Sequence, residues 1–242
     1  MSLGRDRIMR TIKLLGFLLT YPDQDHIKAA EDAADILQSE KWISQQTIEK
    51  LLVGLQAFQS RSILDIQEEY VALFDRTPSL SLHLFEHIHG DSRDRGQAMV
   101  DLMQVYEDAG LFIDHDEMPD YLPLFAEYLS TLSTEEASDN LGSVVNILSS
   151  IAERLKNRDS FYASIFDARI ETAARQPDKE AVAKFLESAS GEAPSFQELD
   201  TAWEEQFAFD NQSLEGGQGT GDCPKIRDML DRMNDVTNQE RA

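Results

Sequence analysis

The sequence predicts an all-α protein: a single helical domain of about ten helices over residues 5–188, followed by a looser, acidic C-terminal extension over 189–242. Three observations predict it. Apolar residues recur at intervals of three and four along almost the whole chain, the spacing of one buried helical face. Ser, Thr and Asp stand where helices would start, and Pro or Gly where they would stop. No run alternates apolar and polar residues between turn pairs, so no strand is indicated.

The elements follow in order. Ile8, Ile12, Leu15 and Leu19 form the first stripe, and Tyr21-Pro22 stops it, because proline offers no N–H and disfavours helix in the residue before it. Ile27, Ala30, Ala34 and Leu37 form a second stripe. Ser44 caps a third helix, with Ile48, Leu51, Leu52, Leu55 and Phe58 along its buried face. Ser62 with Asp65 three residues on resembles a capping box, opening a helix that carries Ile63, Ile66, Tyr70, Leu73 and Phe74. After the Thr77-Pro78 break the spacing predicts a short helix over 82–87, ended by Gly90. A longer helix with Met99, Leu102, Met103 and Tyr106 is closed by Gly110, and 111–119 read as a loop. Asp120 caps the next helix, with Pro123 in its first turn, where a missing N–H costs nothing. Thr134 opens a long helix with Leu141, Val145, Leu148 and Leu155 on one face. Ser160 opens another, with Phe161, Ile165 and Ile170, stopped at Pro177, and a shorter helix covers 178–188. In the extension, Ser195 and Glu198 repeat the capping-box spacing before Leu199, Trp203 and Phe207. Residues 216–221 are a Gly-rich linker, and a last amphipathic helix carries Ile226, Met229, Leu230, Met233 and Val236.

Charge narrows the function. Twenty-two basic against 45 acidic side chains give a net charge of −23, which argues against nucleic acid and anionic membrane as partners. From 96 to 153 there is no Lys or Arg against twelve acidic residues, and from 185 to 224 none against nine. The N-terminus reverses this with Arg5, Arg7, Arg10 and Lys13. Most such charge solvates a surface; a smaller part is the kind that attracts a basic partner. Cys223 is the one cysteine, which excludes an internal disulfide and fits a reducing compartment. Residues 8–19, interrupted by Arg10, Thr11 and Lys13, fall short of the ~20 apolar residues of a membrane span, and no secretory pattern is present. A cytoplasmic chain without membrane insertion is expected.

The densest group of reactive side chains lies over 83–96. His83, Glu86 and His87 match the H-x-x-E-H zinc pattern, but a catalytic zinc needs a third ligand, and His26, His89 and His115 belong to no second motif. His87 and His89 are therefore read as helix-packing or peptide-contact groups. Arg93 and Arg95 open a helix and either favour an anion there or pair with neighbouring carboxylates. The glycines at 216–221 follow no strand and cannot be a dinucleotide loop. No Walker loop, cysteine pair or nucleophile elbow is found, so no enzyme is expected.

Residues 70–76 (YVALFDR), 84–102 (LFEHIHGDSRDRGQAMVDL), and then Pro119 to Leu124 with Glu127-Tyr128-Leu129, resemble the nitrate reductase molybdenum-cofactor assembly chaperones, the delta subunit, within the wider redox-enzyme maturation chaperones. The resemblance covers nearly the whole chain and is strongest over 70–132. In the wider family the second signature reads Asp-His, whereas Tyr121 follows Asp120 here. The resemblance implies an all-helical chaperone that binds the immature catalytic alpha subunit of respiratory nitrate reductase, including its N-terminal segment. It implies that the chaperone allows insertion of the molybdenum guanine dinucleotide cofactor without holding it stably, and delays membrane docking. The implied partners are that apo alpha subunit and molybdenum-cofactor biosynthesis proteins. The alternatives are a generic helical adaptor for a basic peptide and, on the H-x-x-E-H match alone, a zinc hydrolase.

The two signatures, 73–96 and 119–129, are expected to pack side by side as a groove for a basic amphipathic helix. Phe74, Phe85, Tyr121 and Phe125 would be its apolar anchors, and Asp75, Glu86, Asp120 and Glu127 its carboxylates. His87, His89, Arg93 and Arg95 complete the expected set, with Asp120 taken as exposed.

Overall fold

The computed structural model describes residues 5–89, 93–113 and 117–188. Within them the chain forms α1 (Arg5–Phe17), α2 (Gln24–Glu40), α3 (Gln45–Gln59), α4 (Ile63–Tyr70), α5 (Glu86–His89), α6 (Arg93–Asp108), α7 (Leu122–Leu129), α8 (Thr134–Lys156), α9 (Tyr162–Thr172) and α10 (Lys179–Ser188). The protein is all-α, and its β pairing among the described residues is one isolated antiparallel bridge between His83 and Tyr121. The extension over 189–242, with its linker and terminal helix, lies outside the described residues. Among those described, no helix is long and apolar enough to cross a membrane.

Local chemistry explains most of the helix starts. Ser44 and Ser62 cap α3 and α4 by accepting the N–H groups of Thr47 at 3.3 Å and Asp65 at 3.2 Å. Pro123 sits in the first turn of α7. Ser133 and Glu136 form a complete capping box on α8, the Glu136 carboxylate accepting the Ser133 N–H at 2.8 Å. On α2 the box is closed by a histidine: Asp23 accepts the N–H of His26, and the His26 ring returns to the Asp23 N–H at 3.1 Å. The hydrogen bond from His26 holds the Asp23 carboxyl below the usual carboxylate range. Gly110, at φ +79°, closes α6 in the left-handed conformation that a side chain would resist.

Three expectations fail locally. After Tyr70 the helix widens into a π turn over Val71–Asp75, then a 3₁₀ turn over Pro78–Leu80. Residues 82–85 are not helical; helix resumes only at Glu86. The start of α9 carries no side-chain cap, and Ser160 instead donates to Glu69 of α4 at 3.1 Å.

Tertiary packing is organised around α8 and α9, which lie against each other. α10 covers α8, α3 packs on α9, and α1 packs on α2 and α7. Leu15, Leu19, Leu51, Phe125, Tyr128, Leu148 and Phe166 belong to one continuous core. Gly16 sets the α1–α7 approach: a Cβ there would lie 2.7 Å from Ala126 Cβ, closer than packed carbons come.

Candidate functional site

The two sequence signatures do meet, but at a buried seam. The Leu84 N–H donates to the Asp120 carbonyl at 3.0 Å and the Leu122 N–H to the Leu82 carbonyl at 2.9 Å. Asp120 turns inward and is 0% exposed. Its Oδ2 accepts the Phe85 N–H at 3.0 Å, and its Oδ1 lies 3.2 Å from His83 Nδ1. A carboxylate withdrawn from water needs such partners. The expectation of an exposed Asp120 is thereby corrected, and so is its role as a helix cap, since Tyr121 occupies that position without a side-chain bond. The hydrogen bond to Asp120 raises the His83 pKa above its usual value, against the opposing effect of burial.

The other expected residues divide. Phe85 and Phe125 are fully buried, and Phe74 packs in the core against Tyr70 and edge-on to Tyr162. These three rings support the fold from inside and present no anchor at the surface. Glu86 pairs with Arg95 at 3.1 Å. His87 Nε2 lies 2.8 Å from the Ser81 carbonyl, and burial lowers its pKa. The three members of the H-x-x-E-H match therefore face Asp120, Arg95 and Ser81 separately, and only two of them lie on α5. Among the described residues no group of three His, Cys, Asp or Glu side chains is placed to hold a metal. Asp75 is exposed. The side chains of His89 and Arg93 lie outside the described residues.

Among the described residues of the expected set, Tyr121 and Glu127 alone line an open cleft of about 410 Å³ between α1 and the start of α7. Gly16 and Pro123 lie at its base, and its walls include Phe17, Tyr21, Tyr121 and Leu124. Lys13, Glu117 and Glu127 bring charge to it. Tyr21 is 51% exposed, unusual for so large a ring. The seam props the cleft: the Tyr121 ring lies 5.4 Å from that of His83, and its hydroxyl is 3.2 Å from Tyr70, which donates to the Leu19 carbonyl. Lys13 and Glu127 approach to 3.5 Å, but both are exposed, so the pair is weak.

Sequence reasoning missed Phe17, Tyr21, Leu124 and Glu117. A signal existed for two of them. Phe17 and Tyr21 are aromatic yet stand off the stripe of Ile12, Leu15 and Leu19.

Fold and cleft define the class first: an all-helical protein with a shaped, partly apolar surface carrying charge. Comparison with known proteins supplies the family. The model of the nitrate reductase delta subunit matches residues 38–168. The chain is 38% identical over 206 residues to the "Probable nitrate reductase molybdenum cofactor assembly chaperone NarW" of Escherichia coli (strain K12), covering 84% of this chain and 86% of that one. It is 38% identical over 199 residues to the nitrate reductase molybdenum cofactor assembly chaperone NarJ of the same strain, covering 82% and 84%. A "Probable nitrate reductase molybdenum cofactor assembly chaperone NarJ" of Bacillus subtilis (strain 168) is 30% identical over 155 residues, 64% of this chain and 83% of the relative. The chain belongs to the nitrate reductase delta subunit family, a family of maturation chaperones and not of catalysts.

Proposed function

We propose that this protein binds the immature catalytic alpha subunit of a respiratory nitrate reductase, with the subunit's N-terminal segment seated in the cleft between α1 and α7. Held there, the subunit stays open for insertion of the molybdenum guanine dinucleotide cofactor and is kept from docking at the membrane. The chaperone retains no cofactor itself; molybdenum-cofactor biosynthesis proteins meet the complex at the delivery step. The work takes place in the cytoplasm.

One observation carries this reading: in a member of a maturation family, an open cleft joins exposed aromatic walls to carboxylates at Glu117 and Glu127. An amphipathic, basic segment fits that combination, its apolar face against Tyr21, Tyr121 and Leu124. Opposite charge speeds encounter and rejects wrong partners more than it adds affinity. That suits a chaperone which must release its client.

Leu124→Arg tests the reading, since Leu124 is only half-buried on the cleft wall. The variant should weaken binding of a synthetic peptide copying the alpha subunit's N-terminal segment by roughly tenfold or more, about 1.4 kcal/mol, in calorimetry. Co-expressed alpha subunit should then carry less molybdenum. Unchanged binding by a folded Leu124→Arg protein places the client elsewhere.

A further inference from the structure

Arg169, on α9, is a buried cation without a counter-charge among the described residues. It is 3% exposed, and neither Nη1 nor Nη2 has a hydrogen-bond partner among them. Burial lowers its pKa to about 10, with no carboxylate contributing to the shift, so the group remains charged near neutrality. An arginine withdrawn from water without a partner destabilises a fold by several kcal/mol in general. Asp120 and His26, buried as deeply, are answered, by Phe85 and His83 and by Asp23 and Phe17. Neutral buried groups, the Thr11 and Tyr162 hydroxyls among them, also lack a hydrogen-bond partner among the described residues. Arg169 differs in carrying a full charge on a group with neither terminal nitrogen bonded.

Its position is informative. Nη2 comes within 3.5 Å of the point where a Gly16 side chain would begin, and the Pro123 carbonyl lies 3.6 Å from that same point. Gly16 and Pro123 are the residues at the base of the cleft. The guanidinium thus lies behind the base, at the seam of α1 and α7, where Gly16 and Ala126 pack too closely to admit a side chain. Charge is layered as a result. Glu117 and Glu127 stand at the cleft, and a lone cation stands beneath it.

We propose that Arg169 is the anchor of the cleft: as α1 and α7 part at Gly16 on client binding, it receives a carboxylate carried by the apolar face of the client segment, while the acidic residues above meet that segment's basic side chains. The inference rests on the cleft reading given above and adds to it a required chemistry and a direction of insertion. An Arg–carboxylate contact is charge-assisted and, when bidentate, orientationally selective. In a site this dry it discriminates strongly against a segment that lacks the acceptor. The unpaired charge also leaves the empty chaperone less stable than the filled one, so occupancy is felt by α1, α7 and α9 together.

The test is a double-mutant cycle on the full chain. Arg169→Met and the parent are each titrated with a C-terminally amidated peptide of the alpha subunit's N-terminal segment. Each is titrated again with the same peptide in which every Asp and Glu is replaced by its amide. Arg169→Met should melt at the same temperature as the parent or higher, and should bind the native peptide at least about tenfold more weakly. The amide peptide should bind both proteins equally weakly, because the two changes remove one contact. Native peptide bound equally by Arg169→Met and the parent overturns the proposal, as do losses that simply add. Leu124→Arg, run in parallel, separates the two readings: if it loses binding and Arg169→Met does not, the cleft stands and the anchor falls. If Arg169→Met does not fold, the parent protein with ¹⁵N-labelled arginine decides. A side-chain resonance assigned to Arg169 that shifts and becomes protected on native-peptide binding supports the anchor. One that stays unchanged at saturation rejects it.

Discussion

The buried seam at Asp120 and the open cleft beside it lie next to each other, yet they treat polar groups in opposite ways. At the seam the Asp120 carboxylate is answered at short range, by Phe85 N–H at 3.0 Å and His83 at 3.2 Å, and is itself closed off from water. At the cleft, Glu117 is exposed, Lys13 and Glu127 face solvent as a loose pair, and aromatic surface is left uncovered. Satisfied polar groups indicate a structural junction, whereas unsatisfied apolar and charged surface indicates a place for something else. The segment richest in catalytic residue types is thus a fastening. The plainer residues around Tyr21 and Leu124 line the open cleft.

The strongest way to break this contrast is Asp120→Ala. The substitution strands the Phe85 N–H and leaves His83 without its partner, so urea unfolding should show a loss of about 2–4 kcal/mol. Peptide affinity, measured where the variant is still folded, should change little. Full stability with lost binding would make the seam the site after all.

Gly16→Ala comes next and joins the two regions. The added methyl meets Ala126 Cβ, so α1 and α7 must separate, and overpacking of this kind costs about 1–3 kcal/mol. Ala126→Gly should restore part of the loss when combined with it, in a cycle read by thermal melts. A Gly16→Ala protein as stable as the parent would show that the crossing is looser than drawn.

The smallest effect is that of pH on His83. Its pKa is raised in the folded state by Asp120, so folding favours the protonated ring. That contribution is complete below the unfolded value of about 6.5 and is lost as pH rises through the higher folded value. The gap in melting temperature between the parent and His83→Gln should therefore be widest near pH 6 and close as the solution becomes alkaline. A gap that widens with pH would mean that the imidazole is held neutral and that the seam is not an ion pair.

The helices themselves were legible because their causes are local. Three- and four-residue spacing marks the buried face of α3 and α8, and Ser44, Ser62 and Pro123 act within their own turn, so sequence neighbours suffice to place them. The family was legible as well, because the signatures over 84–102 and 119–129 are long runs of specific residues. What the sequence by itself could not determine is which side each polar residue faces. Asp120 has the composition of a helix cap and also of a surface carboxylate; it becomes a buried pin only because residues 82–85, more than thirty positions earlier, arrive as a non-helical turn and present an N–H. His87 and Glu86 read as a pair on one helix, but Ser81 and Arg95 draw them to different partners. Arg169 reads as one more charge near a helix end, and α1 and α7 closing over α9 turn it into a buried, unanswered cation beneath the cleft. Hydrogen bonds within a turn are fixed by sequence distance, whereas burial depends on elements that are remote in the chain, and only the packed structure brings those together.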